Sequence, residues 1–192
     1  MALLSGPPPA RSAGARLTIA LVAAVALLGG APMQAHGDTL EYAIKAAYLF
    51  KFTPFVEWPA SAFAAPNSPF NVCVFGGDPF GAVLDQTVGG HQVGEHPVKV
   101  LRPQTADAAS ACHILYVGGA RAPVAAATLS KLRGSPILTV TEQALGVSGG
   151  VVQFLVKDGH VRFTIDAGAA AANRMTISGK LLSLAASVGN GS

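Results

Sequence analysis

The stretch FNVCVFGGDPFGAVLDQ, residues 70–86, carries the pattern on which the fold prediction depends. Its first part, Phe70–Gly76, is mostly apolar and rich in β-branched and aromatic side chains, which is typical of a short buried strand. Asp78 and Pro79 come next, after two glycines, and these residue types favour the N-cap and first positions of a helix. The stretch therefore predicts a strand followed directly by a helix.

The same alternation continues along the chain. Further strands are predicted in HPVKVLRP (96–103), CHILYVGG (112–119) and PILTV (136–140), and a helix in APVAAATLSKLRG (122–134). Apolar strands that alternate with helices are typical of a mostly parallel sheet covered on both faces. We therefore expect an α/β fold, a single-domain sandwich with a mostly parallel central sheet flanked by helices.

A late antiparallel β-hairpin is predicted in VVQFLVKDGHVRFTI, residues 151–165. Asp158-Gly159 is a typical type I′ turn, and a two-residue loop sets the register of the strands that it joins. In that register Lys157 faces His160 and Phe154 faces Phe163. The alternate apolar residues then share one face, so turn and hydrophobic pattern agree. These six residues are Val152, Phe154, Val156, Val161, Phe163 and Ile165.

Helices are also predicted at both ends of the domain. The first runs from about Thr39 to Phe52, with Ile44 and Tyr48 on its apolar face by their spacing. The last begins after Ser178 as N-cap in MTISGKLLSLAASV. Its apolar face is predicted to consist of Leu181, Leu184, Ala185 and Val188.

Residues 1–35 have the features of a secretory signal peptide. Two arginines precede an uncharged apolar run, residues 17–31, which is shorter than a membrane-spanning helix requires. Small residues then precede a cleavage position that we place after Ala35. An uncleaved anchor is the alternative. We expect a periplasmic protein with an α/β domain at residues 36–192, whose core covers about residues 40–188.

Charge argues against nucleic acid as a partner. The chain has 13 basic and 10 acidic residues, and Arg11 and Arg16 belong to the predicted signal peptide. Eleven basic residues against ten acidic ones then remain, which gives no basic surface for phosphates. The 51% hydrophobic and 12% charged content instead predicts a heavily buried domain.

The two cysteines, Cys73 and Cys112, predict a disulfide, because an even number of thiols in an exported chain most often forms bridges. Zinc is the alternative, since His113 adjoins Cys112. Two thiols without a second spaced Cys/His pair make a poor tetrahedral site, so the disulfide is favoured.

Motifs for catalysis are weak. GVSGG (146–150) matches G-x-S-x-G, but Ser148 follows a loop and precedes a strand, whereas a nucleophile elbow needs a strand before and a helix after the serine. The five histidines show no metal-binding spacing, and no acid/base pair is visible. We therefore expect no enzyme activity, no cofactor and no metal.

Two glycine turns are candidates for a ligand-binding edge. Gly76, Gly77 and Asp78 follow one predicted strand, and Gly118 and Gly119 follow another. If the two strands are parallel neighbours, both turns lie at the edge of the sheet where ligands commonly bind. Lysine is missing from the position that a P-loop requires. Tight turns that simply begin helices are the alternative, and we favour it.

The motifs together resemble the YfiR-like periplasmic proteins, the DUF4154 domain family. The similarity rests on KAAYLFKFTPFVEWP (45–59), FNVCVFGGDPFG (70–81), CHILYVGG, LTV (138–140) and the segments GGVVQF, GHVRFTID and ISGKLLSLA, in that order along the chain. It covers nearly all of residues 40–188.

The resemblance implies a regulatory function. The name-giving member inhibits a membrane-bound diguanylate cyclase by binding its periplasmic sensor domain, and an outer-membrane lipoprotein relieves this by sequestering the inhibitor. Dimers occur in the family. For this chain it implies lower cyclic-di-GMP signalling, with effects on biofilm and motility, and no catalytic residues. A small-molecule sensor or carrier that uses the two glycine turns is the alternative.

Aromatic residues of the KAAYLFKFTPFVEWP stretch are candidates for partner contact. Phe50 and Trp58 lie off the predicted apolar face, and aromatic side chains are enriched among interface anchors. Simple burial beneath the following loop is the alternative, and we favour it. The charges of Lys45, Lys51 and Glu57 make a membrane anchor a poor explanation of the stretch.

Overall fold

The structure, a computed structural model, describes residues 35–190, and side chains from Asp38 onwards. Residues 38–190 belong to one compact unit. The predicted signal peptide therefore lies outside the described residues, apart from Ala35. Within the described range the helices are α1 (Ala35–Lys51), α2 (Ala82–Val88), α3 (Ala106–Ala109), α4 (Ala122–Leu132), α5 (Ala167–Ala172) and α6 (Gly179–Leu184). The strands are β1 (Val56–Glu57), β2 (Phe70–Gly76), β3 (Gln92–Val93), β4 (His96–Leu101), β5 (Ile114–Gly118), β6 (Leu138–Glu142), β7 (Val152–Lys157), β8 (His160–Asp166), β9 (Thr176–Ile177) and β10 (Ser187–Gly189).

A single large sheet confirms the predicted α/β architecture. Its strand order is β10-β8-β7-β6-β5-β2-β4-β3, and β1 and β9 form a small separate pair. The neighbours from β4 through β2, β5 and β6 to β7 are parallel, as are β8 and β10. Only β7–β8 and β3–β4 are antiparallel. The sheet is therefore mostly parallel and ends in the predicted hairpin.

Each face of the sheet has its own hydrophobic cluster. Alternate side chains of the central strands point to opposite faces, as the strand period of two requires. The larger cluster packs under α1, which contributes Ala46 and Leu49, and includes Phe52 directly after the helix. The smaller packs under α4 through Leu129 and contains the disulfide described below. Both faces are thus filled, which explains why the central strands are apolar throughout.

The hairpin has the predicted register. Lys157 pairs with His160 and Phe154 with Phe163. Asp158 and Gly159 have φ of 52° and 72°, as a type I′ turn requires. The six alternate residues share one face as predicted, and all are buried except Val156, which is 50% exposed because it lies two residues from the turn.

The predicted apolar face of α1 is confirmed for Tyr48, which packs against the larger hydrophobic cluster, and is wrong for Ile44, which is 39% exposed. The buried side of the helix also includes Lys45, Ala46 and Leu49, and Lys45 has no exposed surface. Apolar spacing did not predict this side, because a lysine was not expected to point inwards.

The end of the chain also differs from the prediction. Ser178 caps α6 by accepting a hydrogen bond from the Leu181 N–H, as expected. The helix ends at Leu184, however, because residues 187–189 pair in parallel with β8 as strand β10. Leu184 and Val188 are consequently exposed and do not form an apolar helix face.

Candidate ligand-binding crevice and its surroundings

The two glycine turns lie together at one edge of the sheet. Strands β2 and β5 are parallel neighbours, and Gly76 is paired with Gly118 at their carboxyl ends. The turns that follow bring Gly77 and Gly119 into backbone contact. The structure thus places all five residues of the predicted ligand edge at one location, while ligand binding there stays a prediction.

Glycine is required at this edge for steric reasons. Gly119 has φ of +62°, and a Cβ there would lie 2.6 Å from the Gly77 Cα. A Cβ at Gly118 would overlap the ring of Tyr116. The missing side chains therefore allow the two turns to touch and let the Tyr116 ring fold back over its own strand.

A crevice of about 470 Å³ opens above these turns. Its walls come from α1, from both glycine turns, from β5 and from the end of β6. The lining residues are Tyr42, Gly77, Asp78, Pro79, Tyr116, Gly118, Gly119, Glu142, Ala144 and Leu145. Such a position, beyond the carboxyl ends of parallel strands, is where α/β proteins commonly hold small molecules.

Asp78 is fixed at the rim of the crevice. Its Oδ1 accepts hydrogen bonds from the backbone N–H groups of Phe80 (2.8 Å) and Gly81 (3.1 Å). The predicted helix start at Pro79 is wrong, because Gly81 has φ of +50° and interrupts a helical backbone. Helix α2 begins at Ala82 instead. Asp78 therefore caps a turn and not the helix itself.

Arg102 holds this turn from the side of β4. Its Nε lies 2.7 Å from Asp78 Oδ2 and its Nη2 lies 2.6 Å from Asp85 Oδ2. The Nη2 also donates to the Gly81 carbonyl oxygen at 2.9 Å. One guanidinium thus ties the rim of the crevice to α2.

A buried lysine lies behind the back wall of the crevice, where Glu142 lines it. The Lys45 Nζ lies 2.7 Å from both carboxylate oxygens of Glu142 and also contacts the Glu41 carboxylate. The Tyr116 hydroxyl donates to Glu142 Oε1 at 2.6 Å. The Nζ stands 4.7 Å from the centre of the Tyr42 ring. This network connects α1 to the ends of β5 and β6.

Lys45, Tyr42 and Tyr116 stay protonated through neutral pH. Burial lowers the pKa of Lys45, but its hydrogen bonds to Glu142 and Glu41 outweigh burial and raise it overall. Burial and the charge of Glu142 raise the pKa of Tyr42, and burial and the hydrogen bond to Glu142 raise that of Tyr116. The crevice therefore offers phenols, carboxylates and backbone groups for recognition.

Signals for this network in the sequence are weak. Lys45 served only as a charge that argues against a membrane anchor, and Tyr42, Tyr116 and Glu142 were not selected as site residues. Glu41 lies four residues before Lys45, which is the spacing of a helical ion pair. Glu142 is 97 residues away from Lys45 and could not be paired with it from sequence alone.

Phe50 and Trp58, the predicted partner-contact residues, are half-buried and pack against the larger hydrophobic cluster. Phe50 lies against His91, with ring centres 4.7 Å apart. The Trp58 Nε1 donates to the His113 carbonyl oxygen at 3.2 Å, and its ring meets Phe70 edge-on. Contact with a partner stays a prediction for both residues.

A stack of aromatic and histidine rings lies below the loop that follows Trp58. The sequence analysis did not predict it. Phe63 lies between His96 and His113, with centre-to-centre distances of 3.9 Å and 4.7 Å. The His113 Nδ1 accepts a hydrogen bond from the Asn71 backbone N–H, while its buried Nε2 has no partner among the described residues. His113 is thus held in its neutral form.

The remaining sequence candidates have structural explanations. Ser148 lies in the loop before β7, without the strand and helix of a nucleophile elbow. Cys73 and Cys112 form the predicted disulfide, with their Cα atoms 5.9 Å apart. Among residues 35–190 no group of three His, Cys, Asp or Glu side chains is arranged to hold a metal ion. No helix in that range is long and apolar enough to cross a bilayer.

Comparison with known proteins gives one family. A protein-family profile described as YfiR/HmsC-like matches residues 42–186, which covers every strand of the sheet except β10. No curated protein matches the chain. The matched segment includes every residue that lines the crevice.

Proposed function

We propose, because the chain belongs to the YfiR/HmsC-like family, that it is a periplasmic regulatory protein. In this proposal it binds the periplasmic sensor domain of a membrane-bound diguanylate cyclase and so lowers cyclic-di-GMP signalling. The family match over residues 42–186 is the observation that carries the proposal. An outer-membrane lipoprotein that sequesters the protein, and a homodimer, belong to the same proposal.

Two further observations support a periplasmic location. Residues 1–35 have the sequence pattern of a secretory signal peptide. The Cys73–Cys112 disulfide agrees with an oxidising compartment, since such bridges are rare in the cytosol. Cell fractionation tests this directly: a mature protein retained in the cytosol would contradict it.

Co-purification tests the proposed partner. The tagged protein is cross-linked in intact cells and purified from the envelope, and bound proteins are identified by mass spectrometry. We expect a transmembrane protein with a cyclase domain, and a rise in cyclic-di-GMP when the gene is deleted. If deletion changes neither cyclic-di-GMP nor any receptor complex, the proposed function is wrong.

The proposed contact residues can be tested in the same experiment. Trp58→Ala and Phe50→Ala are expected to reduce recovery of the cyclase, because aromatic anchors contribute much of the energy of an interface. Leu184→Ala is the matched control, since Leu184 is a 59% exposed apolar residue elsewhere on the domain. Thermal unfolding of each variant separates lost binding from lost folding.

A second candidate function is a small-molecule sensor. The crevice of about 470 Å³ beyond the ends of β2, β5 and β6 favours it. A thermal-shift screen against amines, carboxylic acids, sugars and nucleotides tests this candidate. Thermal stabilisation by one class of compound supports the sensor function. If no compound stabilises the protein, the sensor function is ruled out, while the proposed cyclase contact is unaffected.

A further inference from the structure

The first of two ion-pair networks beside the crevice contains more negative than positive charge. The Lys45 ammonium is its one cation, and it contacts the carboxylates of Glu41 and Glu142. Lys45 has no exposed side-chain surface, whereas Glu142 keeps 17% and lines the crevice. One negative charge in this network is therefore left unbalanced at the back wall.

The second network, at the rim, has the same imbalance. The Arg102 guanidinium contacts the carboxylates of Asp78 and Asp85. Asp78 lines the crevice with 23% of its side chain exposed, and Asp85 lies outside it. A single cation again faces two carboxylates, so a second unbalanced negative charge borders the same space.

No side chain in the described lining offsets these charges. The lining contains neither lysine, arginine nor histidine. Arg121, which follows the second glycine turn, is exposed and is not part of the lining. A concave site bordered by charge of one sign concentrates its field and attracts ligands of the opposite sign.

The raised pKa of Tyr42 agrees with a negative field, because the charge of Glu142 contributes to it after burial. The other walls are apolar or uncharged. Pro79, Ala144 and Leu145 supply hydrocarbon surface, and the turns at Gly77 and Gly119 expose backbone to a ligand. The crevice thus combines an anionic rim and back wall with room for a short carbon chain.

We propose that this crevice binds a small organic amine, with its ammonium group directed to Asp78 and Glu142 and its carbon chain along Pro79 and Leu145. The inference rests on the second candidate function above and names the ligand class for that site. The Lys45 ammonium lies 2.7 Å from both carboxylate oxygens of Glu142, while 17% of the Glu142 side chain stays exposed and lines the crevice. A second ammonium at this exposed part would balance the remaining charge.

Isothermal titration calorimetry with putrescine tests the proposal on the purified protein at low ionic strength. Succinate and butanediol have the same number of carbon atoms but carry negative charge or none, and Mg²⁺ carries charge without carbon. We expect putrescine to bind with one-to-one stoichiometry, more weakly at high salt, and the other three to give no comparable signal.

Three variants locate the site. Asp78→Asn is expected to weaken putrescine binding about tenfold, because it removes a charge-assisted contact. Asp85→Asn is the matched control: it removes the same formal charge from the Arg102 network but lies outside the crevice, so a smaller effect than that of Asp78→Asn shows direct contact with Asp78. Ala144→Leu fills the crevice without changing charge and is expected to abolish binding. Circular dichroism verifies that each variant is folded.

Several results would overturn the amine proposal. If Mg²⁺ bound as tightly as putrescine, the crevice would attract cations in general and would not recognise an amine. Unchanged putrescine affinity in Ala144→Leu would place binding elsewhere. Binding of succinate or butanediol with no response to putrescine would also exclude an amine, while it would leave the small-molecule sensor standing as the second candidate function.

Discussion

Lys45 on helix α1 and Glu142 at the end of strand β6 are 97 residues apart in the sequence, yet the lysine Nζ lies 2.7 Å from both carboxylate oxygens. The lysine has no exposed side-chain surface. A buried cation of this kind is tolerated only because hydrogen-bonded carboxylates compensate it. The pair therefore fixes the helix over the sheet and also closes the back of the crevice.

Removing this lysine is expected to destabilise the domain. Lys45→Met keeps the hydrocarbon volume but leaves Glu142 without its cation, at a cost of about 3 kcal/mol in the free energy of unfolding. Urea denaturation measures the loss. Lys51→Met, at an exposed position of the same helix, is the control and is expected to change little. The double variant Lys45→Met/Glu142→Gln should recover part of the loss, and a stable Lys45→Met single variant would contradict the proposed role.

Stability is also expected to depend on the disulfide. The Cys73–Cys112 bridge spans 39 positions, and closing a loop of that length contributes about 4 kcal/mol in the chain-entropy description. Cys73→Ala/Cys112→Ala should therefore lower the free energy of unfolding by about 2–4 kcal/mol. Thiol titration of the denatured, unreduced wild-type protein should find no free thiol. Two reactive thiols would show that the bridge is absent.

His113 gives the domain a predicted sensitivity to acid. Burial lowers its pKa, and the charge of His96 acts in the same direction. As the pH falls, the unfolded chain therefore binds a proton at His113 before the folded protein does. The contribution of neutral His113 to the free energy of unfolding is complete above about pH 6.5, the ordinary pKa of histidine. It is lost progressively as the pH falls below that value.

Urea denaturation from about pH 7.5 to about pH 5 measures this effect. His113→Gln should show a shallower loss of stability with acid than the wild type, even if it is less stable at neutral pH. His160→Gln, at the exposed end of the hairpin, is the control and should keep the wild-type slope. Equal slopes in all three proteins would rule out His113 as the source.

A pair of glycine substitutions separates backbone strain from steric overlap. Gly119 and Gly146 have nearly the same φ, +62° and +65°, but only Gly119 has backbone within reach of an added Cβ, at 2.6 Å from Gly77. Gly146→Ala should cost about 1 kcal/mol through φ alone. Gly119→Ala should cost about 2 kcal/mol more, because the two turns must move apart. Equal losses in thermal unfolding would mean that the contact between the turns contributes nothing.

The parts of the fold that follow local rules were predictable. The hairpin register was predicted correctly because turn type and hydrophobic alternation gave the same pairing. The parallel sheet followed from the alternation of strands and helices, and this alternation also indicated that the glycine turns share an edge. In each case the deciding residues are neighbours in sequence.

The parts that depend on distant contacts were not predictable. The face of α1 was predicted wrongly at Ile44, and the burial of Lys45 was missed, because the carboxylate that makes a buried Lys45 favourable belongs to β6. The predicted end of α6 was wrong because the backbone after Leu184 pairs with β8 as a strand and does not continue the helix. The start of α2 was misplaced because an aspartate that caps a turn and one that caps a helix have the same sequence signature.

The distance between Lys45 and Glu142 along the chain also constrains the order in which the protein assembles. In the proposed export, with the N-terminus first, Lys45 reaches the new compartment before Glu142, which follows 97 residues later. Until β6, β7 and β8 follow, the lysine has no carboxylate from β6, and Phe52 lacks its contacts with Phe154 and Phe163. Helix α1 can therefore reach its native position only after the second half of the sheet has arrived.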